Sequence, residues 1–335
     1  MGEKTFRSVL ITGGAGFIGS HLAEALLASG HRVTVIDDLS TGRWTNVEHL
    51  ESREGFRVIV ASAAEPAILE REVPEHDLVY HLASAVGVRL IIDRPVHTAQ
   101  TIFNVTDAVL GACSRYRKPV LLTSTSEVYG KSTSIPFRED ADVIMGATEK
   151  RRWAYACGKA LDEFLALAHF YETRLPVFIV RLFNTVGPRQ SSQYGMVLPT
   201  FVEQALAGKP ITVFGDGSQR RCFCSVSDVI DALVKIPRAQ AAMGKVVNVG
   251  SQEEVSIRGL AERVIALSGS RSAVEIVPYE KAYGAGFDDM ARRVPDLTRA
   301  AELVGWKPRK GLDDIIRDVI QDVQRSGGSR PPSPR

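Results

Sequence analysis

The stretch that most constrains this chain is VLITGGAGFIG, residues 9–19. Val9, Leu10 and Ile11 would make a strand apolar on both faces, as a central parallel strand is, because helices cover both of its sides. Glycines then fall at Gly13, Gly16 and Gly19. Gly13 permits a tight turn, Gly16 lets the backbone approach a phosphate, and Gly19 lets helix and strand pack closely. A helix expected over 20–28 points its amino end, with its free N–H groups and dipole, at that turn. The same spacing suits an ordinary βα turn, so context decides. A second strand, expected over 32–36, ends in Asp37 and Asp38. An acid there accepts hydrogen bonds from a ribose 2′-OH and repels a 2′-phosphate. The stretch therefore predicts a dinucleotide site that prefers NAD to NADP.

Strands and helices alternate through the first half. Strands are expected over 56–60, 78–82, 119–124 and 176–182, with helices over 98–116 and 155–172. That alternation predicts an α/β fold, a doubly wound parallel sheet with helices on both faces. After Asn184 the texture changes to loops rich in Gly and Pro, with helices over 197–207, 256–268 and 311–324 between short strands. The expected organisation is a dinucleotide-binding domain over 1–183 with a return segment near 225–251. A smaller C-terminal α/β substrate lobe over 184–325 would cap the carboxyl ends of the sheet, with the ligand crevice between. The tail, 326–335, is rich in Pro, Gly and Ser and is expected to be disordered.

Composition narrows the function classes. The 335 residues are 44% hydrophobic and 24% charged, enough for a sizeable core, and the net charge of +2 offers no footprint for nucleic acid or a membrane surface. No apolar run is long enough for a transmembrane helix, and the early first strand argues against a signal peptide. Cys113, Cys157, Cys222 and Cys224 lack zinc-type spacing, and Cys222 and Cys224 would share one face of a strand. Reduced thiols in a cytoplasmic protein without a metal are expected.

Two further stretches carry chemistry. STSEVYG, residues 124–130, sits at the carboxyl end of the fifth strand, where open α/β sheets place their sites. Tyr155 and Lys159 lie four apart on one helix face, so a phenol and an ammonium can meet. A cation beside the phenol favours the phenolate, which can take a proton from a sugar hydroxyl near neutral pH. Such a pair is also common on solvated helices. With the glycine turn and the Thr125 hydroxyl upstream, chemistry becomes the better reading.

With these motifs in view, the chain resembles the extended short-chain dehydrogenase/reductases that act on nucleotide sugars, the NAD-dependent epimerase/dehydratase family. The resemblance spans all but the tail. It rests on TGGAGFIG (12–19), residues 124–130, Tyr155-x-x-x-Lys159, RLFN (181–184), GPR (187–189) and GSQRRCF (217–223). It implies a Rossmann sheet holding NAD against Gly13, Gly16, Phe17, Ile18, Gly19, Asp37, Asp38, Leu82, Ala83, Tyr155 and Lys159. It also implies a UDP-sugar in the small lobe. Its diphosphate ligands map to Asn184 and Arg221, its uridine contacts near Tyr194, Val197, Val213 and Phe214, and a further phosphate- or sugar-contacting arginine to Arg293. Guanidinium forks suit such groups. One departure follows the third strand: the family often has an adenine-binding Asp where this chain has Ala61, Ser62 and Ala63, leaving Ser62 to make a weaker contact. The family also implies a homodimer through the helices at 98–116 and 155–172, whose apolar residues include Val109, Leu110, Phe164, Leu165 and Leu167.

Glu127 discriminates among reactions. Family 4-epimerases usually carry a small residue there, and dehydratases an Asp-Glu pair. The form TSEVYG is similar to UDP-glucuronate decarboxylases of the UDP-xylose synthase type and to the decarboxylase domain of the bacterial aminoarabinose pathway, whose catalytic arginine matches Arg293. In that chemistry Tyr155 takes the O4 proton and C4 becomes a ketone β to the C6 carboxylate, which leaves as CO2. Glu127 would disfavour the charged ground state more than the transition state. Arg293 would steer the carboxylate or assist reprotonation. Against this, VGVR (86–89) is closer to 4-epimerases, although Arg89 suits a uronate carboxylate. A UDP-sugar 4-epimerase is therefore the alternative, and a non-catalytic NAD sensor is a third reading from another class.

Overall fold

The computed structural model describes residues 6–84, 94–150, 153–193, 195–278, 281, 290 and 292–327. Seven strands form one parallel sheet: β1 (Ser8–Thr12), β2 (Arg32–Asp37), β3 (Phe56–Val60), β4 (Leu78–His81), β5 (Val120–Thr125), β6 (Val177–Leu182) and β11 (Lys245–Val249). Their order is β11-β6-β5-β4-β1-β2-β3. All six pairings are parallel. Within the return segment expected near 225–251, β11 pairs Val246 with Ile179 and Asn248 with Arg181.

The reason for this architecture is visible in β1. All five of its residues are buried, because the sheet is covered on both faces. On one face, α1 (Phe17–Ala28) and α6 (Val226–Lys235) bury Leu22, Leu26, Val229 and Leu233 with Val9, Ile11 and Trp306. On the other, α3 (Pro95–Tyr116) and α4 (Trp153–Thr173) bury Val105, Val109, Leu110 and Ala166 against Leu10, Val79 and Leu122. The strand order reverses between β1 and β4, so the connections that leave their carboxyl ends run to opposite faces of the sheet and leave a crevice.

A separate core lies among α5 (Val197–Leu206), α7 (Ile257–Ser268) and α9 (Leu312–Arg325), with β8 (Ile211–Phe214). Helix α9 shows why it docks there: Leu312, Ile315, Ile316, Val319, Ile320 and Val323 are buried at helical spacing, while Asp313 and Asp314 sit in the first turn, favourable to the dipole. A smaller cluster of Val128, Tyr129, Phe137, Trp153 and Phe183 packs beneath the carboxyl end of β5, with Tyr129 stacked on Phe137 at 4.6 Å.

Some expectations change. Val109 and Leu110 are fully buried against the sheet, and Leu165 and Leu167 are partly buried with them, so they do not form an outer helix face. The exposed apolar residues on the two helices are Val96, Phe103, Leu161, Phe164 and Tyr171. Cys222 and Cys224 belong to different short strands, β9 (Arg220–Cys222) and β10 (Cys224–Ser225), which pair with different partners. All four cysteines are free thiols. Of the expected tail, residues 328–335 lie outside the described residues, as do Arg89 and Tyr194.

Candidate active site

The glycine turn is built as its spacing requires. Gly13 has φ +72°, and a Cβ there would stand 2.7 Å from the Ala83 backbone nitrogen. The turn at the end of β1 thus lies directly against Leu82 and Ala83 at the end of β4. Leu82 N donates to Thr12 O at 3.1 Å. A Cβ on Gly19 would reach 2.2 Å from Gly13 O, so only glycine allows the helix this close. Helix α1 begins at Phe17 with Gly16 as its N-cap, which puts Phe17, Ile18 and Gly19 in the first turn. That turn has no acidic residue to compete with an anion.

Asp37 ends β2 beside this turn. Its Oδ2 accepts from Ala15 N at 2.9 Å and its Oδ1 from Leu39 N at 2.8 Å. Burial pushes its carboxyl up, and the backbone donors of Leu39 and Ala15 oppose that. The Gly16 N–H also favours its charged form, and the acceptor capacity that remains lets the carboxylate fix the turn and still receive a ribose hydroxyl. Asp38 is exposed and accepts from Ser40 N. The Ser62 hydroxyl accepts from Ala64 N at 3.2 Å, leaving its own proton to give. A Cβ-free cradle, an unopposed helix amino end and an acid at the end of β2 fit NAD.

Strand β5 delivers Thr125 to the crevice, and the 3-10 turn Ser126–Tyr129 follows, started by the Thr125 hydroxyl accepting from Glu127 N at 3.2 Å. The same hydroxyl hydrogen-bonds the Tyr155 phenol. Glu127 is largely buried and pairs with Arg293 at 2.5 Å. Arg293 arrives on a segment tied to the 137 loop, where Phe137 N donates to Val294 O at 2.7 Å and Asp296 N to Phe137 O at 2.8 Å. The structure therefore brings together Thr125, Glu127, Tyr155 and Arg293.

Two expected electrostatic features differ. Lys159 directs its ammonium at Asp162, Nζ to Oδ2 at 2.9 Å, rather than serving the phenol alone. The phenol is pushed far up, first by burial, then by the Glu127 carboxylate, with Asp162 adding to it and the Thr125 hydrogen bond opposing. Glu127, expected to set its negative charge against the substrate carboxylate, is paired with Arg293.

Sequence reading missed the buried polar scaffold behind these groups. His81 is buried between Thr12 Oγ1, 2.8 Å from Nδ1, and Thr106 Oγ1, 3.1 Å from Nε2. Burial, with the Lys159 charge adding, lowers it to about 3. Glu163 grips Arg181 with both oxygens and accepts from the Ser124 hydroxyl, while the Arg181 guanidinium lies 4.7 Å from the centre of the Tyr129 ring. Asp162 and Glu163 were findable from helical spacing, since Lys159 and Asp162 are three apart on the same helix.

In the second core, Asn184 takes φ +28°, which Asn tolerates better than most residues, and its amide donates to Cys222 O at 2.8 Å. Arg221 is buried and donates to Arg220 O. Val197 and Phe214 are half-buried. The Val213 side chain is fully buried in the core, so only its backbone can meet a ligand.

The family model for GDP-mannose 4,6 dehydratase matches residues 10–319. The chain belongs to that family. It is 40% identical over 313 residues to a UDP-N-acetyl-alpha-D-glucosaminuronate decarboxylase of Bacillus cytotoxicus, covering 93% of this chain and 96% of the relative. It is 37% identical to UDP-glucuronic acid decarboxylase 1 of Danio rerio, over 97% of this chain and 74% of that one. Among solved structures, the UDP-glucuronic acid 4-epimerase of Bacillus cereus, determined with UDP-glucuronic acid and NAD, superposes with a TM-score of 0.85 at 28% identity, covering 95% of this chain and 99% of that one.

Proposed function

We propose that this protein is an NAD-dependent decarboxylase of UDP-linked uronic acids, with UDP-glucuronate as substrate and UDP-xylose or the 4-keto pentose as product. The observation that carries this reading is the Glu127–Arg293 pair beside the Thr125–Tyr155 hydrogen bond. Tyr155 takes the O4 proton, oriented by Thr125. NAD supplies the acceptor for the C4 hydride. The C4 ketone lies β to the C6 carboxylate, which makes loss of CO2 feasible. Arg293 presents several N–H donors in a planar fork, so one edge can keep Glu127 while another receives the uronate. Glu127 thus fixes Arg293, and the guanidinium remains near the enolate that CO2 leaves behind. Asn184 and Arg221 bind the diphosphate, and Val197, the Val213 backbone and Phe214 line the uridine end.

The uronate reading agrees with relatives named as decarboxylases of two such sugars, which differ at C2. The test is incubation with NAD and UDP-glucuronate or its 2-N-acetyl counterpart, followed by mass analysis. Release of CO2 and a product lighter by one carboxyl supports the proposal. Conversion to the galacto isomer at constant mass replaces it with a 4-epimerase, the reading favoured by the B. cereus likeness. NAD binding without turnover leaves a sensor.

We also place the enzyme in the cytoplasm as a homodimer. The support is the set of free thiols and the outward apolar residues Leu161, Phe164 and Tyr171 on α4 with Phe103 on α3. Among the described residues, no helix is long and apolar enough to cross a membrane.

A further inference from the structure

Asp162 has no part in the chemistry set out above, yet it is completely buried on the helix that carries Tyr155 and Lys159. Its Oδ2 accepts from Lys159 Nζ, and its Oδ1 has no hydrogen-bond partner among the described residues. A buried carboxylate oxygen with no donor at full hydrogen-bond distance is costly, and more so when charged. Buried ion pairs can often be replaced by apolar residues at no loss of stability. The pair as a whole is therefore not required for stability, and the carboxylate has a stability reason only because Lys159 is there, since its removal alone would strand a buried ammonium.

The placement of Asp162 offers another. Tyr155, Lys159 and Asp162 stand at i, i+4 and i+7, a single stripe of α4. Burial pushes the Asp162 carboxyl up; the Lys159 ammonium opposes that first, and the Thr106 hydroxyl of α3, close behind the carboxylate, opposes it next. The Thr106 hydroxyl meets His81 Nε2, and His81 Nδ1 meets Thr12. Neutral His81 carries one N–H. With Thr106 giving its proton toward an ionised Asp162, the histidine must donate from Nε2 and accept at Nδ1 from Thr12. Thr12 in turn receives Ala83 N–H at 3.4 Å. A run of buried side chains thus links the backbone at the dinucleotide turn to the ammonium of Lys159. The other charges nearby are Glu163, beside Asp162 and paired with Arg181, and Glu127, facing the phenol and paired with Arg293.

We propose that Asp162 is a positioning residue that holds Lys159 and balances its charge, so that the Tyr155 phenol stays protonated until a ligand draws the ammonium away. The Asp162 carboxylate opposes ionisation of the phenol, in the same direction as Glu127. Lys159 acts on Tyr155 fully only when this carboxylate no longer claims it. The inference rests on Tyr155 being the base at O4.

Tyrosinate absorbance followed against pH tests it, without and with NAD, on the wild type, Asp162→Asn and the apolar Asp162→Leu. Each is measured against the same chain with Tyr155→Phe. We expect the Tyr155 ionisation to fall by at least about one pH unit in either variant, a tenfold gain in phenolate at fixed pH, and the acid limb of kcat to move with it. The shift should be smaller with NAD bound, because the cofactor already competes for Lys159. An ionisation that stays in place in a folded variant overturns the proposal. Failure of both variants to fold assigns Asp162 to the fold and overturns it too. The titration needs no sugar nucleotide, so its result stands whichever sugar the enzyme acts on.

Discussion

Replacing Gly19 by alanine tests the dinucleotide turn at its tightest point. The added Cβ would stand 2.2 Å from Gly13 O and 2.6 Å from Gly14 Cα. Comfortable carbon contacts begin near about 3.5 Å, so helix and turn must separate by about 1 Å. Overpacking of this kind costs about 1–3 kcal/mol. Because the strain falls on the turn that receives the cofactor, the same energy weakens NAD binding by roughly 5–150-fold. Two further glycines calibrate the result. Gly16→Ala meets only Gly13 O, at 3.1 Å, and as an N-cap change costs at most about 1 kcal/mol of stability, yet it sets a methyl where the phosphate approaches. Gly111→Ala, within α3, meets nothing within 4 Å and should stabilise the chain by about 0.5–1 kcal/mol with unchanged affinity. Thermal melting and calorimetric titration with NAD read all three. If Gly19→Ala keeps both the melting temperature and the affinity of the wild type, the close helix–turn contact does not govern the site.

Four other perturbations follow from the geometry. Glu163→Ala leaves the buried Arg181 without its carboxylate and should cost about 3–5 kcal/mol in urea unfolding; a loss below about 1 kcal/mol contradicts the bidentate pairing. His81 stays neutral in the fold down to about pH 3, whereas an unfolded histidine takes a proton near about pH 6.5. The unfolded state therefore binds more protons in that window, and stability falls as pH drops from about 6.5 toward 3, by about 4–5 kcal/mol in all; His81→Gln should remove up to one proton from the slope of unfolding free energy against pH. Glu127→Gln should permit C4 oxidation, seen as NADH absorbance, while CO2 release falls by at least about tenfold (about 1.4 kcal/mol); undiminished CO2 release removes Glu127 from the mechanism. Phe164→Glu puts a charge on the outward face of α4 and should convert the proposed dimer to monomer in sedimentation, with the melting temperature of the isolated chain little changed; a wild type that sediments as a monomer refutes the dimer.

How much of this was legible in the sequence depended on the range of the interaction. The glycine turn, the parallel sheet and the return of the chain as β11 follow from local backbone needs and apolar periodicity, and the structure reproduces them with element ends shifted by one to three residues. Proline tolerance explains one shift: α3 starts at Pro95, where a missing N–H costs nothing. Pairings between distant segments were not legible. Nothing local says that Arg293 meets Glu127, or that Asn248 accepts from the Tyr129 hydroxyl. The outward face of α3 and α4 is illegible for a related reason. Both helices are apolar on more than one side, and periodicity alone cannot tell Val109, which packs on the sheet, from Phe164, which faces outward.

Taken together, the charges around Tyr155 form a pattern that neither pair shows alone. The phenol lies within the influence of two carboxylates, Glu127 and Asp162, and each is neutralised by a cation suited to a ligand. In the proposed mechanism Arg293 receives the uronate and Lys159 the cofactor ribose. Both cations are engaged by carboxylates, and burial together with Glu127 and Asp162 favours the protonated phenol. The uronate that Arg293 would receive brings its own negative charge and the ribose hydroxyls that Lys159 would receive bring none, so ligands would change the field at the phenol oxygen by drawing each cation from its carboxylate. A double variant, Glu127→Gln with Asp162→Asn, removes both opposing charges at once. Because each acts on the phenol from its own side, their effects on the Tyr155 ionisation should add within about 0.5 kcal/mol. A shift in the double variant no larger than in either single one would mean that the two pairs sense each other, and that the phenol is governed by one network.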